Sequence, residues 1–409
     1  MFGAFAFDVS TMHPLIAAQA SRARWMAASL VAASLFGCGR IATPVRLSSV
    51  APAGRTAPAS SPTSPSCTTS DVLATWSLDR LAEQTIVVPV DENNVGAVKG
   101  EVAAGAGGVI LFGGSAPADL GTELRSLNAS APGGLAPFVM TDEEGGAVQR
   151  MANLVGSMPS ARQMGAIMTP VQVEDLARGL ALRMRAAGVT MDLAPVLDLD
   201  AGQGPNDRDP VGTRSFSPDE STAAADGLAF ARGLAAGGVV AVAKHFPGLG
   251  EATGNTDVTP AATLSWSQLQ NSGLLPFTAT VAAQVPAVMV ANATVPGLSS
   301  TPASISAVAI QGVLRERLGY QGLVLTDSLS ATALKAIGYS VPQAAVAALG
   351  AGADMVLFNA DAAHVASITR ETGASIVAAV QAGTLDRTTM VSAVAHVLSA
   401  KNVDLCASR

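Results

Sequence analysis

Seven polar side chains stand just behind short apolar runs of the chain: Asp91, Asp142, Asp198, Lys244, Asn292, Asp327 and Asn359. Any one of them alone is ordinarily a helix cap or a satisfied loop group. Brought to one place, four carboxylates, an ammonium and two amides would offer directional hydrogen bonding and acid–base chemistry. The densest stretch is Lys244-His245-Phe246-Pro247-Gly248-Leu249-Gly250. There, adjacent Lys and His supply donors of different geometry, while a Pro and two Gly shape a turn behind them. No metal site is expected, since the chain has no H-E-x-x-H, no paired cysteines and no Asp-rich cage.

The runs themselves indicate what must position these groups. Residues 85–90, 108–112, 138–141, 190–195, 239–243, 287–291, 323–326 and 355–358 are nearly continuous Val, Ile, Leu, Ala or Met. That is the pattern of parallel strands covered on both faces. Helical stretches such as 173–187, 218–236 and 306–318 lie between most of them, several ending at Gly188, Gly237-Gly238 or Gly319. Eight strand-then-helix units match an α/β fold, a single (β/α)8 barrel. An open doubly wound sheet is the alternative. The barrel is favoured because a polar residue follows nearly every strand: a ring brings those ends to one mouth, whereas an open sheet confines its ligand to a switch point.

Several of these segments, in order, resemble glycoside hydrolase family 3, in particular its single-domain bacterial β-N-acetylglucosaminidases. The Lys244–Gly250 string resembles the family's K-H-F-P-G motif. Asp142-Glu143-Glu144-Gly145-Gly146, continuing to Val148-Gln149-Arg150, resembles D-x-E-G-G-x-V-Q-R. Ala194-Pro195-Val196-Leu197-Asp198 resembles A-P-V-x-D, Arg214-Ser215-Phe216 resembles R-S-F, and Thr326-Asp327-Ser328-Leu329 resembles T-D-x-L. The resemblance implies that Asp327 is the nucleophile of a retaining double displacement. It also implies that Asp142, Arg150, Arg214, Lys244 and His245 hold the hydroxyls and N-acetyl group of a non-reducing sugar, with no metal or cofactor. On a purely structural reading, Arg214 would merely pair with Asp209 or Asp142.

One departure falls on the proton donor. Family members carry an Asp-Ser-His triplet behind K-H-F-P-G, whereas here Asn255-Thr256-Asp257 occupies that place. The four histidines are His13, His245, His364 and His396, and none lies on that loop. Asp257 is therefore the candidate general acid/base, Glu251 the fallback, and a site that binds sugar without turnover the third reading. Gly254 with its Ala and Thr neighbours suggests a mobile loop. The expected function is a retaining exo-β-N-acetylglucosaminidase acting on terminal N-acetylglucosamine of cell-wall fragments such as muropeptides. A β-glucosidase, β-xylosidase or phosphorylase is the alternative within the enzymes, and a sugar-binding lipoprotein outside them.

Composition sets the remaining limits. Hydrophobic residues make up 49% of 409 and charged residues 13%, so a large buried core is expected rather than disorder. Residues 1–70 hold five Arg and one acid, which leaves 19 basic and 30 acidic residues, net −11, in residues 71–409. An acidic body argues against nucleic-acid binding, which needs a basic face. Arg22 and Arg24 precede an apolar run that ends in Leu35-Phe36-Gly37-Cys38. Residues 1–38 thus read as a signal peptide, with Cys38 resembling a bacterial lipidation site and a plain signal with an incidental cysteine as the alternative. Residues 39–70, rich in Ala, Pro, Ser and Thr, read as a flexible linker, and 71–409 as the catalytic barrel. The expected protein is an exported monomer, held to the membrane by its lipid alone. In an oxidising compartment Cys67 and Cys406 could pair and close the ends of the domain.

Overall fold

A computed structural model describes residues 67–407. The segment expected as signal peptide, Cys38 and the expected linker up to residue 66 lie outside the described residues. The first described helix, Thr69–Leu73, starts within the stretch expected as linker, because Thr68 and Asp71 cap each other. This is the reciprocal capping that a Thr and an acid three residues apart allow.

Eight parallel strands form the sheet: β1 (Ile86–Asp91), β2 (Gly108–Phe112), β3 (Phe138–Thr141), β4 (Met191–Asp192), β5 (Val240–Phe246), β6 (Ala287–Val290), β7 (Leu323–Thr326) and β8 (Val356–Leu357). Their spatial order is β8-β1-β2-β3-β4-β5-β6-β7. A bridge between Leu325 and Met355 joins β7 to the entry of β8, so the ring closes. The fold is therefore the (β/α)8 barrel, not the open sheet.

Alternation along each strand separates two cores. Val87, Ile110, Met140, Met191, Val242, Met289, Leu325 and Leu357 point inward and fill the barrel. Their neighbours Val88, Val109, Val139, Ala241, Val288, Val324 and Val356 belong to the outer core shared with the helices. Four of the inward residues in and beside the strands, Met140, Met191, Met289 and Met355, are unbranched thioethers that can fill the irregular centre of a ring. Among the helices, Pro170–Ala186 starts at a Thr169 capping box with Pro at its first position, and Glu220–Ala236 starts at Asp219. The segment expected as a helix at 306–318 winds as a π-helix over Val308–Arg317.

Two strands depart from expectation in ways that matter for the site. The fourth narrows to Met191–Asp192; beyond it the chain still follows β5, with Val196 bridging Lys244. The fifth runs three residues further than 239–243, because Lys244 N–H donates to Pro195 and the Phe246 carbonyl accepts from Ala291. Lys244 and His245 therefore sit on a strand and not on the loop behind it.

The last helix, Arg387–Ala400, lies against the inner layer through Val397, and Lys401 stands 5.3 Å over the Phe138 ring and donates to Gln84 at 3.3 Å. Burial pushes the Lys401 ammonium down to about 7. Cys67 and Cys406 are joined, with their Cα atoms 5.9 Å apart, which ties the two ends of the described chain. No helix of the described residues is long and apolar enough to cross a membrane.

Candidate active site

Strand ends and the loops behind them surround a cavity of about 490 Å³ lined by Asp142, Glu144, Arg150, Arg214, Lys244, His245, Asp257 and Asp327. Every residue singled out from the sequence as nucleophile, acid/base or sugar contact lines it except Glu251, whose backbone N–H donates to Asp200 at 3.4 Å. The described residues contain no cluster of His, Cys, Asp and Glu suited to a metal ion.

The polar wall of the cavity begins at β3. Behind Thr141 the chain turns back as a short antiparallel hairpin, Glu143–Gly145 against Val148–Gln149. Gly145 and Gly146 have φ of 97° and 60°, and a Cβ on Gly145 would lie 2.3 Å from the Pro159 carbonyl oxygen, so the turn needs glycine. Extended backbone sends residues two apart to the same side. Asp142 and Glu144 accordingly share the cavity, while Glu143 points away and accepts the N–H groups of Arg150 and Met151 at 2.7 Å and the Gln149 amide at 2.8 Å.

Lys244 Nζ lies 2.8 Å from Asp142 and 2.6 Å from Glu144. Arg214 grips Glu144 with two parallel bonds of 2.8 Å, the fork geometry that suits a guanidinium and a carboxylate. This pairing with Glu144 replaces the one with Asp209 or Asp142 expected on the structural reading; Asp209 instead accepts the Gly204 N–H. Burial alone would raise the Glu144 carboxyl, but the charges of Arg214 and Lys244 hold it well below the usual carboxylate range. Burial would likewise lower Lys244, and Asp142 and Glu144 outweigh it to raise its pKa. Arg150 approaches Asp142 more loosely, at 3.7 Å.

His245 is oriented from behind. Asp198 accepts its ring Nδ1–H at 2.7 Å, its backbone N–H at 3.2 Å and the Leu249 N–H at 2.6 Å. The Nδ1 proton is thus committed, which leaves Nε2 beside Arg214 at 3.5 Å on the cavity side.

Asp327 emerges at the tip of β7 as its N–H completes the ladder to Val290. Its carboxylate accepts the Ser328 N–H at 2.7 Å, and the Ser328 carbonyl is fixed by Asn292, itself held by Ser304. Asp257 reaches the same cavity from the loop behind β5. It is an exposed residue, yet neighbouring protein desolvates its carboxyl; that, together with the charge of Asp327, pushes it up to about 6 against the opposing pull of His245 and Arg214.

The cavity thus holds the Asp327 carboxylate, a second carboxyl of raised pKa at Asp257 and a polar wall able to meet hydroxyls. The family model described as the glycosyl hydrolase family 3 N terminal domain matches residues 87–400. The chain belongs to glycosyl hydrolase family 3. It is 39% identical over 236 residues to a beta-hexosaminidase, LpqI, of Mycobacterium tuberculosis, covering 56% of this chain and 60% of that protein. The chain thus aligns with only about three fifths of that relative's length. A beta-hexosaminidase of Stenotrophomonas maltophilia is 35% identical over 57% of this chain and 69% of its own. Among solved structures, a family 3 member from Mycobacterium smegmatis superposes with a TM-score of 0.71 at 34% identity, covering 80% of this chain and 98% of that one. A beta-N-acetylhexosaminidase from Beutenbergia cavernae gives 0.72 at 32% identity, covering 81% and 100%.

Within this family 3 site, two participants had no role from the sequence. Glu144 could have been found from its i, i+2 relation to Asp142 in extended chain. The aim of Asp198 at His245 needed the fold, since nothing local relates residues 47 apart. Glu144→Ala should lower the unfolding free energy by about 3–5 kcal/mol, because it takes from Arg214 its two-bond carboxylate partner and leaves buried Lys244 with Asp142 alone. Urea denaturation would show it, and a loss below 1 kcal/mol would mean that Lys244 and Arg214 are satisfied without Glu144.

Proposed function

We propose that the chain is a retaining exo-β-N-acetylglucosaminidase that releases terminal N-acetylglucosamine from cell-wall glycosides. The observation that carries this reading is the pair Asp327 and Asp257 in one cavity with the Asp142–Glu144–Lys244–Arg214 wall. The wall's alternating acceptors and donors suit a neutral sugar ring with several hydroxyls. Asp327 attacks the anomeric carbon as the glycosidic bond breaks, and the departing oxygen takes the proton of Asp257. A glycosyl ester on Asp327 results.

Esterification neutralises Asp327. The charge that helps raise Asp257 is then gone, so its pKa falls and it stays deprotonated after giving up its proton, free to accept one from the incoming water. One carboxyl thereby serves as acid in the first half and base in the second. Relatives named beta-hexosaminidase support the choice of an acetylated amino sugar. The leader and Cys38 support export with a lipid anchor, and we read the enzyme as a monomer. Turnover of aryl β-N-acetylglucosaminide, β-glucoside and β-xyloside, each in water and in phosphate, tests the reading. A clear preference for the first, with water as acceptor, is expected. Preference for another glycoside, a phosphorylated product, or binding of N-acetylglucosamine without turnover of any glycoside would replace it.

A further inference from the structure

The Asp257 loop is held by the nucleophile's own segment. Thr332 Oγ1–H donates to the Asp257 carbonyl at 2.7 Å, and the Ala333 N–H donates to the carbonyl of buried Thr256 at 3.0 Å. Thr332 lies five residues beyond Asp327, at the start of the short helix Thr332–Lys335. The stretch between them is itself braced: Ser328 and Ser330 hydroxyls meet at 2.9 Å, and Ser330 accepts the Asn359 N–H at 3.1 Å. On its far side the acid loop is closed by the Asn255 side chain, which accepts the Asp257 N–H at 3.0 Å. Asn255 N–H in turn donates to Asp207 at 3.0 Å.

We propose that Thr332 is a positioning residue that sets the distance between the two catalytic carboxyls, by making residues 327–333 one arm that carries the nucleophile at its root and grips the acid/base loop at its tip. The inference rests on the reading of Asp257 as acid/base. Double displacement tolerates only a narrow separation of the carboxyls, about 5–5.5 Å, and a loop anchored on the barrel at one side alone would not hold it. The hydroxyl of Thr332 contacts a main-chain carbonyl and no reacting atom, so its effect must pass through Asp257.

The test compares kcat/KM, which reports the first chemical step, for an activated nitrophenyl N-acetylglucosaminide and for one with an alkyl or sugar leaving group. Thr332→Val, which keeps the shape and removes the donor, should lose about fivefold on the poor leaving group, roughly the worth of one net hydrogen bond. It should change less than twofold on the activated substrate, and Thr332→Ser should restore wild-type values on both. Thr332→Ala, checked with Thr332→Val for native circular dichroism, guards against a fold defect in one variant. Equal losses on both substrates, or none on either, while Asp257→Asn still discriminates between them, would overturn the role of Thr332. If Asp257→Asn also fails to discriminate, the acid/base reading falls and takes the inference with it.

Discussion

Asp327→Ala should lower kcat/KM for an aryl β-N-acetylglucosaminide by at least about a thousandfold, because losing a covalent nucleophile removes the intermediate itself and not a fraction of its stabilisation. Binding should survive. The Asp142, Glu144, Lys244 and Arg214 wall holds together without Asp327, through contacts of 2.6 to 2.8 Å. Titration calorimetry with N-acetylglucosamine should therefore give a Kd within a few-fold of wild type. A fluorinated glycosyl inactivator should label Asp327 in the wild type. A label elsewhere, or an Asp327→Ala variant that keeps a tenth of the activity, would remove the double displacement from this site.

Asp257→Asn should cost about a hundredfold or more in kcat/KM on poor leaving groups, the range for a general acid, and far less on a dinitrophenyl leaving group that needs no proton. The pH dependence follows from the sign of the shift. Asp257 is raised to about 6, so its acid form dominates below that pH and is lost above it. Wild-type kcat/KM on a poor leaving group should fall as pH rises through about 6, and the Asp257→Asn profile should lack that limb. In Asp327→Ala the raising charge is absent, and the Asp257 carboxyl should titrate lower by carbon-detected NMR. An unchanged alkaline limb in Asp257→Asn would assign the acid to another group.

The ring of strands was readable from the sequence because parallel strands buried on both faces leave continuous apolar runs, and runs such as 108–112, 138–141 and 323–326 coincide with β2, β3 and β7. The extension of β5 through Phe246 was not readable. Lys244 and His245 are polar, and only their ladder partners Pro195 and Ala291, distant in sequence, keep them extended. Chemistry-bearing residues were legible by type, and their partnerships much less so. Arg214 could have met any of several acids; the hairpin that turns Glu144 toward it depends on a close approach to Pro159, 14 residues beyond Gly145. The loop read as mobile also meets Thr332 and Ala333, whose sequence offered no hint that they face residues 256 and 257.

Pairing of Ile86 with Val356 makes the first strand of the barrel wait for the last. A ribosome must deliver residues up to 356 before β1 has both neighbours, and the helix Arg387–Ala400, whose Val397 packs in the inner core, arrives later still. Contacts so far apart are slow to form. Until then the strands can form only an unclosed arc with two exposed edges, and the strand ends that line the cavity meet in full only when the ring closes.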